Sequence, residues 1–218
     1  MINLFGSKIG NSITIACSGG LDSMCAAHFL AQKKYREVHL LFVHHGTVTS
    51  QQAEGFLRTH GANAIGAKSL TVRHIKSTKP PKVSPEEHWR NERYRIFHEW
   101  HDKTGIEIVA AHHLDDCIET YLFNAMNGKL ASIAYRHGPV IRPFLLTKKA
   151  SMKSWCVKHN VPWIEDQSNN DRKYTRNKIR HDLIPHALRV NPGLHKIAAK
   201  YAGLDFKEKK WLPFQEEE

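Results

Sequence analysis

The sequence predicts an α/β fold, a doubly wound parallel sheet followed by a helical, basic C-terminal segment. Two observations predict the sheet: short, branched apolar runs recur through the first 146 residues, and helical patterns separate them. Strands that alternate with helices form parallel sheets covered on both faces. A third observation predicts the basic C-terminal segment: residues 142–200 have helical patterns and hold 13 Lys or Arg against 4 Asp or Glu.

Five runs are predicted to be strands because each is short, apolar and rich in β-branched residues. They are Ser12–Cys17, Val38–Val43, Ile65–Val72, Ile106–Ala111 and Val140–Leu146. Proline cannot donate to a strand ladder, so Pro143 favours an edge or a strand end for the fifth run.

Helices are predicted from the apolar periodicity between and after these runs. They are Met24–Leu30, Gln51–His60, Glu86–Lys103, the segment after the fourth strand through Met126, Thr147–His159, Thr175–Leu188 and Pro192–Tyr201. Ser84 and Pro85 are suitable as the cap and first-turn residue of the third helix. Irregular segments are predicted at the Pro- and Lys-rich loop Lys76–Pro85, the polar loop Glu165–Lys173 and the frayed tail Gln215–Glu218. We expect a main domain of residues 1–188 and a short helical extension of residues 189–218.

Composition indicates a globular protein with a polyanionic partner. The 218 residues carry a net charge of +11, and nucleic acid is the leading candidate partner for such a basic chain. The four cysteines contain no CxxC pair, which disfavours a zinc ribbon, an iron–sulfur cluster and a thioredoxin-like centre. Free thiols, the absence of a long apolar run and the lack of a signal pattern predict a cytoplasmic protein without membrane attachment.

The loop after the first predicted strand is the first candidate site. It reads Ser18-Gly19-Gly20-Leu21-Asp22-Ser23 and lies where α/β sheets bind ligands. Two glycines let the backbone approach an anion, and N–H groups near a helix N-terminus favour phosphate. The carboxylate of Asp22 would repel phosphate unless a bound Mg²⁺ bridged the two. The loop therefore predicts a magnesium–phosphate site, although a plain Gly-Gly turn remains the alternative.

Two further stretches carry charged side chains at helical spacing. After the fourth predicted strand, Asp115, Asp116 and Glu119 share one helix face, where they could bind metal, hold an amine or act as a base. The alternative is an ordinary capped helix. Arg90 and Arg93 are three residues apart on the third helix, where they could face phosphates or belong to a solvated face.

The SGGLDS loop resembles that of the PP-loop ATP pyrophosphatases, which cleave ATP between the α and β phosphates. The stretches AHHLDDCIET, IRPFL, WIEDQSN and YTRNKIR follow it in the order typical of the tRNA(Ile)-lysidine synthetase family. The resemblance runs from about Ile13 to Pro185 and implies a doubly wound, Rossmann-like fold of the adenine nucleotide alpha-hydrolase type.

The resemblance also implies a two-step reaction that uses ATP and Mg²⁺. ATP adenylates the C2 carbonyl oxygen of the wobble cytidine in an isoleucine tRNA with a CAU anticodon, and the amine of free lysine then displaces AMP. By analogy, Asp22 holds Mg²⁺, Asp116 and Glu119 bind the lysine amine, and these three side chains are the catalytic residues. The implied ATP-binding residues are Ser18, Gly19, Gly20, Leu21, Asp22, Ser23 and His45, and the implied phosphate or RNA contacts are Arg90, Arg93, Arg176 and Arg180.

Several alternatives stay open. Members of the family usually continue into C-terminal domains that grip tRNA. A short form could instead form a homo-oligomer, use a helper protein, read only an anticodon stem-loop or modify a different substrate. A 2-thiocytidine-type enzyme shares the loop but depends on CxxC cysteines. A metal-dependent phosphohydrolase could use His112, His113, Asp115 and Asp116, but gives the SGGLDS loop no role. A non-catalytic nucleotide- or RNA-binding remnant is the third alternative.

Within the AHHLDDCIET stretch, Cys117 is expected to be a buried, inert thiol.

Overall fold

The computed structural model describes residues 1–6, 9–32, 36–129, 131–165 and 175–204, with side chains described through residue 200. It contains a six-stranded sheet whose order is β3-β2-β1-β4-β6-β5. The strands are β1 Ser12–Ala16, β2 Glu37–His44, β3 Ser69–His74, β4 Ile108–Val109, β5 Arg136–His137 and β6 Val140–Ile141. All pairs are parallel except the edge pair of β5 and β6, which is antiparallel. The predicted doubly wound sheet is confirmed.

Helices cover both faces of this sheet. They are α1 Leu21–Ala31, α2 Val48–Phe56, α3 Ala62–Ile65, α4 Pro85–Thr104, α5 Leu114–Met126, α6 Lys149–Lys158, α7 Thr175–Lys178, α8 Ile184–Val190 and α9 Leu194–Leu204. Two π-helical segments, Leu57–Gly61 and Ile179–Leu183, join α2 to α3 and α7 to α8. Among the described helices, none is both long enough and apolar enough to span a bilayer.

The alternation of side chains along the strands builds two cores, one on each face. Leu40 of β2 belongs to the larger core with α1, α5 and α6, whereas its neighbour Leu41 packs in the smaller core against α4. The same switch occurs between Ile108 and Val109 in β4. Successive strand residues point to opposite faces, so a sheet covered on both sides needs apolar residues at consecutive positions.

Three predicted strands differ from those in the structure. The third begins at Ser69 rather than Ile65, because Ile65 ends α3 and Gly66 caps it in the left-handed conformation with φ +67°. The fourth shortens to Ile108–Val109. The fifth shortens to Val140–Ile141 and does not lie at the edge; its end two residues before Pro143 agrees with the strand end that this proline predicts. The edge strand β5 was not predicted, since its two residues, Arg136–His137, are exposed and polar.

The predicted helices are present, with shifted ends. Helix α4 begins where expected, because the Ser84 side chain accepts a hydrogen bond from the Glu87 amide at 3.1 Å. The single helix predicted over Thr175–Leu188 is instead divided by a π-helical segment just before Pro185, whose missing N–H disturbs the preceding turn. Most of the loop predicted at Glu165–Lys173, and the tail Gln215–Glu218, lie outside the described residues. The domain division at residue 188 stays a prediction.

Candidate active site

A cavity of about 930 Å³ opens at the carboxyl ends of β1, β2 and β4. Strand β1 lies between β2 and β4. The chain leaves β1 towards β2 and leaves β4 towards β6, in opposite directions along the sheet, and a crevice opens between these two connections. The SGGLDS loop forms one wall of this cavity, the start of α5 another, and α4 a third.

The loop Ser18–Ser23 is held by its own hydrogen bonds. The Ser23 hydroxyl donates to the Gly20 carbonyl at 3.0 Å and accepts from the Ser18 amide at 3.2 Å. Gly19 has φ +80°, and a Cβ there would lie 3.2 Å from the Phe56 ring, so the position requires glycine. The carbonyl of Gly19 accepts from the Ile164 amide at 2.9 Å, which docks the Trp163–Glu165 stretch onto the loop.

Asp22 has one partnered and one unpartnered carboxylate oxygen. Its Oδ2 lies 3.6 Å from His113 Nε2 and 3.7 Å from Lys149 Nζ. Its Oδ1 is buried and has no hydrogen-bond partner among the described residues. Burial alone would raise the pKa of Asp22, but His113, Lys149 and Arg180 together hold it below its usual range. The carboxylate is therefore ionised at neutral pH, with one oxygen available to a cation.

His113 connects the loop to the start of α5. It is the N-cap of that helix: its Nδ1 accepts from the Asp116 amide at 3.3 Å, and Asp116 Oδ2 accepts from the His113 amide at 2.9 Å. Burial lowers the pKa of His113, but Asp116, Asp22 and Asp115 outweigh it and raise the pKa above its ordinary value. Asp116 therefore takes part in capping helix α5, as the capped-helix alternative predicts, and it also lines the cavity.

Glu119 lies one turn further along α5 and is almost fully buried. Its Oε1 accepts from Arg176 Nη1 at 2.8 Å, and its Oε2 accepts from Arg180 Nε at 3.0 Å. Arg180 Nη2 also lies 3.5 Å from Asp116 Oδ1. Both oxygens of Glu119 are therefore engaged by arginines, and Arg180 extends from that contact into the cavity wall.

The α4 wall is aromatic and basic. Trp89 lies 5.5 Å from the His45 ring, measured between centroids. Burial, with Arg93 and His44 nearby, lowers the pKa of His45 to about 4, so its imidazole is neutral at physiological pH. The Arg90 guanidinium lies over the Tyr94 ring at 5.2 Å.

The cavity brings together most of the side chains predicted from sequence. It is lined by Ser18, Gly20, Leu21, Asp22, Ser23, His45, Arg90, Arg93, Asp116 and Arg180. Gly19, Glu119 and Arg176 lie behind this surface, while Asp166–Asn169 and Tyr174 are outside the described residues. Within the described part of the chain, no group of three or more His, Cys, Asp or Glu side chains is arranged to hold a metal ion. Cys117 is fully buried, and burial raises its pKa to about 12.

Sequence reasoning missed several lining residues, including Trp89, Lys149, Lys153 and His181, and named His112 only as a ligand in the phosphohydrolase alternative. The two lysines are four residues apart near the start of α6, which places them on one helix face. The spacing of the two lysines was the only sign in the sequence that they act together. It does not indicate that α6 lies beside the SGGLDS loop, which is far away in the chain.

A mostly parallel sheet with a Gly-Gly loop after its first strand, and a cavity at the carboxyl ends of its strands, is the architecture of a Rossmann-like domain. The family profile described as "PP-loop domain" matches residues 1–187, and the chain belongs to that family.

Curated relatives extend this similarity. The tRNA(Ile)-lysidine synthase of Staphylococcus aureus (strain MRSA252) is 30% identical over an alignment of 201 residues that covers 84% of this chain and 46% of the relative. That of Lactiplantibacillus plantarum is 31% identical over 207 residues, covering 87% and 45%. The predicted resemblance to that family is confirmed, and the chain spans about half the length of these relatives.

Two solved structures share the fold. A U34-tRNA thiolase, NcsA from Methanococcus maripaludis, superposes with a TM-score of 0.74 at 15% identity, covering 93% of this chain and 74% of that one. The NH3-dependent NAD synthetase of Campylobacter jejuni gives 0.51 at 15% identity, covering 94% and 90%.

Proposed function

We propose that this chain is an ATP-dependent tRNA-modifying ligase of the lysidine synthetase type. The reaction adenylates O2 of a tRNA wobble cytidine, releases pyrophosphate, and then joins lysine to C2 with loss of AMP. The observation that carries the proposal is that the SGGLDS loop and the Asp116 end of α5 line one cavity, with the buried His113 between Asp22 and Asp116. The tRNA(Ile)-lysidine synthases to which the chain is similar support the choice of substrate.

The first half-reaction requires a site for triphosphate and magnesium. The ionised Asp22 fits Mg²⁺, because its buried Oδ1 lacks a partner among the described residues. Magnesium is commonly held by one or two carboxylates plus substrate phosphates and waters, so a single carboxylate suffices. When bound, the ion would neutralise charge on the departing pyrophosphate. The open glycine backbone of the loop would bind the phosphates, and neutral His45 with Trp89 would lie beside the nucleotide.

The second half-reaction requires a carboxylate for the lysine ammonium. Asp116 faces the cavity and is close to Asp22 through His113, so an amine bound to it would lie near the activated cytidine. Glu119, the other proposed lysine ligand, would reach the amine by exchanging its contact with Arg180. An amine must lose a proton before it attacks, and either carboxylate would orient it for that step.

The RNA would enter from the basic side of the cavity. Arg90 and Arg93 on α4 and Arg180 line the cavity, and Arg176 lies just behind it. Guanidinium groups bind phosphate through paired hydrogen bonds, which suits the backbone around an anticodon.

Nucleoside mass spectrometry tests the proposal. Isoleucine tRNA with a CAU anticodon is incubated with the protein, ATP, Mg²⁺ and lysine, then digested to nucleosides. The expected product is a cytidine heavier by one lysine minus water, formed only when ATP and lysine are both present.

Omission of ATP and substitution of ornithine for lysine are the controls. A cytidine in which sulfur replaces oxygen, formed with a sulfur donor, would instead indicate the 2-thiocytidine reaction. Unmodified cytidine without any AMP would contradict the enzyme assignment.

A further inference from the structure

The SGGLDS loop contains no cationic side chain of its own. In phosphate loops that end in Gly-Lys-Ser/Thr, a loop lysine reaches the β- and γ-phosphates. Here the residues of the loop are Ser, Gly, Gly, Leu, Asp and Ser, and the Ser23 hydroxyl is already committed to the Gly20 carbonyl. A triphosphate at this loop therefore needs positive charge from another part of the fold.

Helix α6 supplies such a charge. Lys149 is its first residue, and its Nζ lies 3.7 Å from Asp22 Oδ2. Its side chain is 45% exposed and lines the cavity, together with Lys153 one turn later. In the described part of the chain, the other basic side chain this close to Asp22 is the imidazole of His113, which is buried as the cap of α5. Lys149 is thus the neighbour with freedom to move onto a ligand.

The backbone of Lys149 is fixed independently of its side chain. Its amide donates to Asp115 Oδ2 at 2.8 Å, which ties the start of α6 to the start of α5. Any residue except proline at position 149 keeps this bond. The ammonium is therefore presented from an anchored position, and removing it does not remove the anchor.

We propose that Lys149 is a further catalytic residue whose ammonium binds the β- and γ-phosphates of ATP. The assignment rests on the proposed function. In adenylation, cytidine O2 bonds to the α-phosphorus as the bond to the α,β-bridging oxygen breaks, and the electron pair leaves on pyrophosphate. Lys149 lies beside the loop proposed to hold that pyrophosphate, so its charge stabilises the leaving group. Lys153, on the same face, adds long-range charge.

Calorimetric titration of the full chain with Mg²⁺ and, separately, ATP, pyrophosphate or AMP tests this assignment. Lys149→Ala is expected to weaken ATP and pyrophosphate binding by about 10- to 100-fold, the loss expected for one charge-assisted hydrogen bond. AMP binding should be unchanged, and Lys149→Arg should restore most of the affinity. Lys148→Ala is the matched control, because Lys148 is adjacent and exposed but does not line the cavity.

The outcomes separate this inference from the proposed function. Equal affinities of the Lys149→Ala variant and the unaltered protein for pyrophosphate would overturn the inference and leave the proposed function intact. An equal loss for AMP would also overturn it, since the contact would then be to the α-phosphate. Selective loss of pyrophosphate binding in a protein that forms no lysidine would support the inference and count against the function. If the unaltered protein bound neither ATP nor pyrophosphate, both would fail.

Discussion

Asp22 has the most distinctive surroundings of any single side chain in the cavity. One carboxylate oxygen faces the ammonium of Lys149 and the imidazole of His113, and the other is buried without a partner in the described part of the chain. Burying an unpaired oxygen of an ionised carboxylate costs free energy, and a purely structural role for Asp22 does not compensate for that cost. This arrangement is typical of a carboxylate that receives a cation with its ligand.

Substitution of Asp22 by Ala should abolish formation of AMP and pyrophosphate while the fold is retained. The contacts of Asp22 to His113 and Lys149 are 3.6 and 3.7 Å long, so little packing depends on them. AMP release measured by chromatography checks the activity, and circular dichroism checks the fold. Turnover at the unaltered rate would remove Asp22 from the proposed site.

The lowered pKa of His45 predicts a pH-dependent stability. In the unfolded chain its pKa is about 6.5, and in the folded protein about 4. Between these values the unfolded state binds more protons, so the free energy of unfolding falls as the pH drops from 6.5 towards 4. His45→Asn should remove about 1–2 kcal/mol of that fall, allowing for partial exposure. Urea unfolding at pH 7, 5.5 and 4.5 measures it.

His186→Asn is the control for this experiment, because His186 is an exposed residue of α8 outside the cavity. It should leave the pH dependence as it is in the unaltered protein. Part of the slope will remain in the His45 variant, since burial also lowers the pKa of His112 to about 4. Identical slopes for the His45 variant and the unaltered protein would show that His45 is protonated equally in both states.

At the scale of elements, α5 and the segment around Arg180 are joined by a buried ionic contact. Glu119 comes from α5, Arg176 from α7 and Arg180 from the π-helical segment that follows. The contact aligns Arg180 with the cavity, and Asp116 lies 3.5 Å from the same guanidinium. The motifs AHHLDDCIET and YTRNKIR therefore contact each other, through Glu119 of the first and Arg176 and Arg180 of the second.

Glu119→Gln should destabilise the protein by about 2–3 kcal/mol, because it leaves two guanidiniums beside a neutral, buried partner. Urea unfolding monitored by tryptophan fluorescence measures this loss. Glu99→Gln is the control: Glu99 pairs with Arg95 on the exposed face of α4, and such a pair contributes about 0.2–1 kcal/mol. Similar effects of the two substitutions would contradict the structural importance of the Glu119 contact.

The boundaries of elements were predictable where a local capping signal marks them. Ser84 and Pro85 identified the start of α4, and the structure places the cap there. Pro143 likewise indicated a strand end in the fifth run, and β6 stops at Ile141. The length of β4 was not predictable, because its apolar run extends beyond the two paired residues to the buried Ala110. Burial decides the composition of such segments, whereas the neighbouring strand decides where the ladder stops.

For the whole molecule, the charge distribution predicts strongly salt-dependent binding of tRNA. The net charge is +11, and arginines line the cavity. Neutralising several phosphates releases counterions, so affinity should fall by about 10-fold or more between 50 and 200 mM salt. Filter binding of tRNA across that range tests this, with Arg93→Gln expected to lower the slope. A flat salt dependence would remove the electrostatic basis of the RNA assignment.

The sequence alone determined the fold class and the chemical character of the site. Alternating strands and helices require a parallel sheet, and an SGGLDS loop after the first strand lies at its carboxyl edge whatever the later details. Tertiary structure alone decided which charges meet. It brings Lys149 to Asp22, sets His113 between two carboxylates and pairs Glu119 with two arginines. Local periodicity specifies which face of a helix is buried, but contacts between distant helices depend on how the whole sheet positions them.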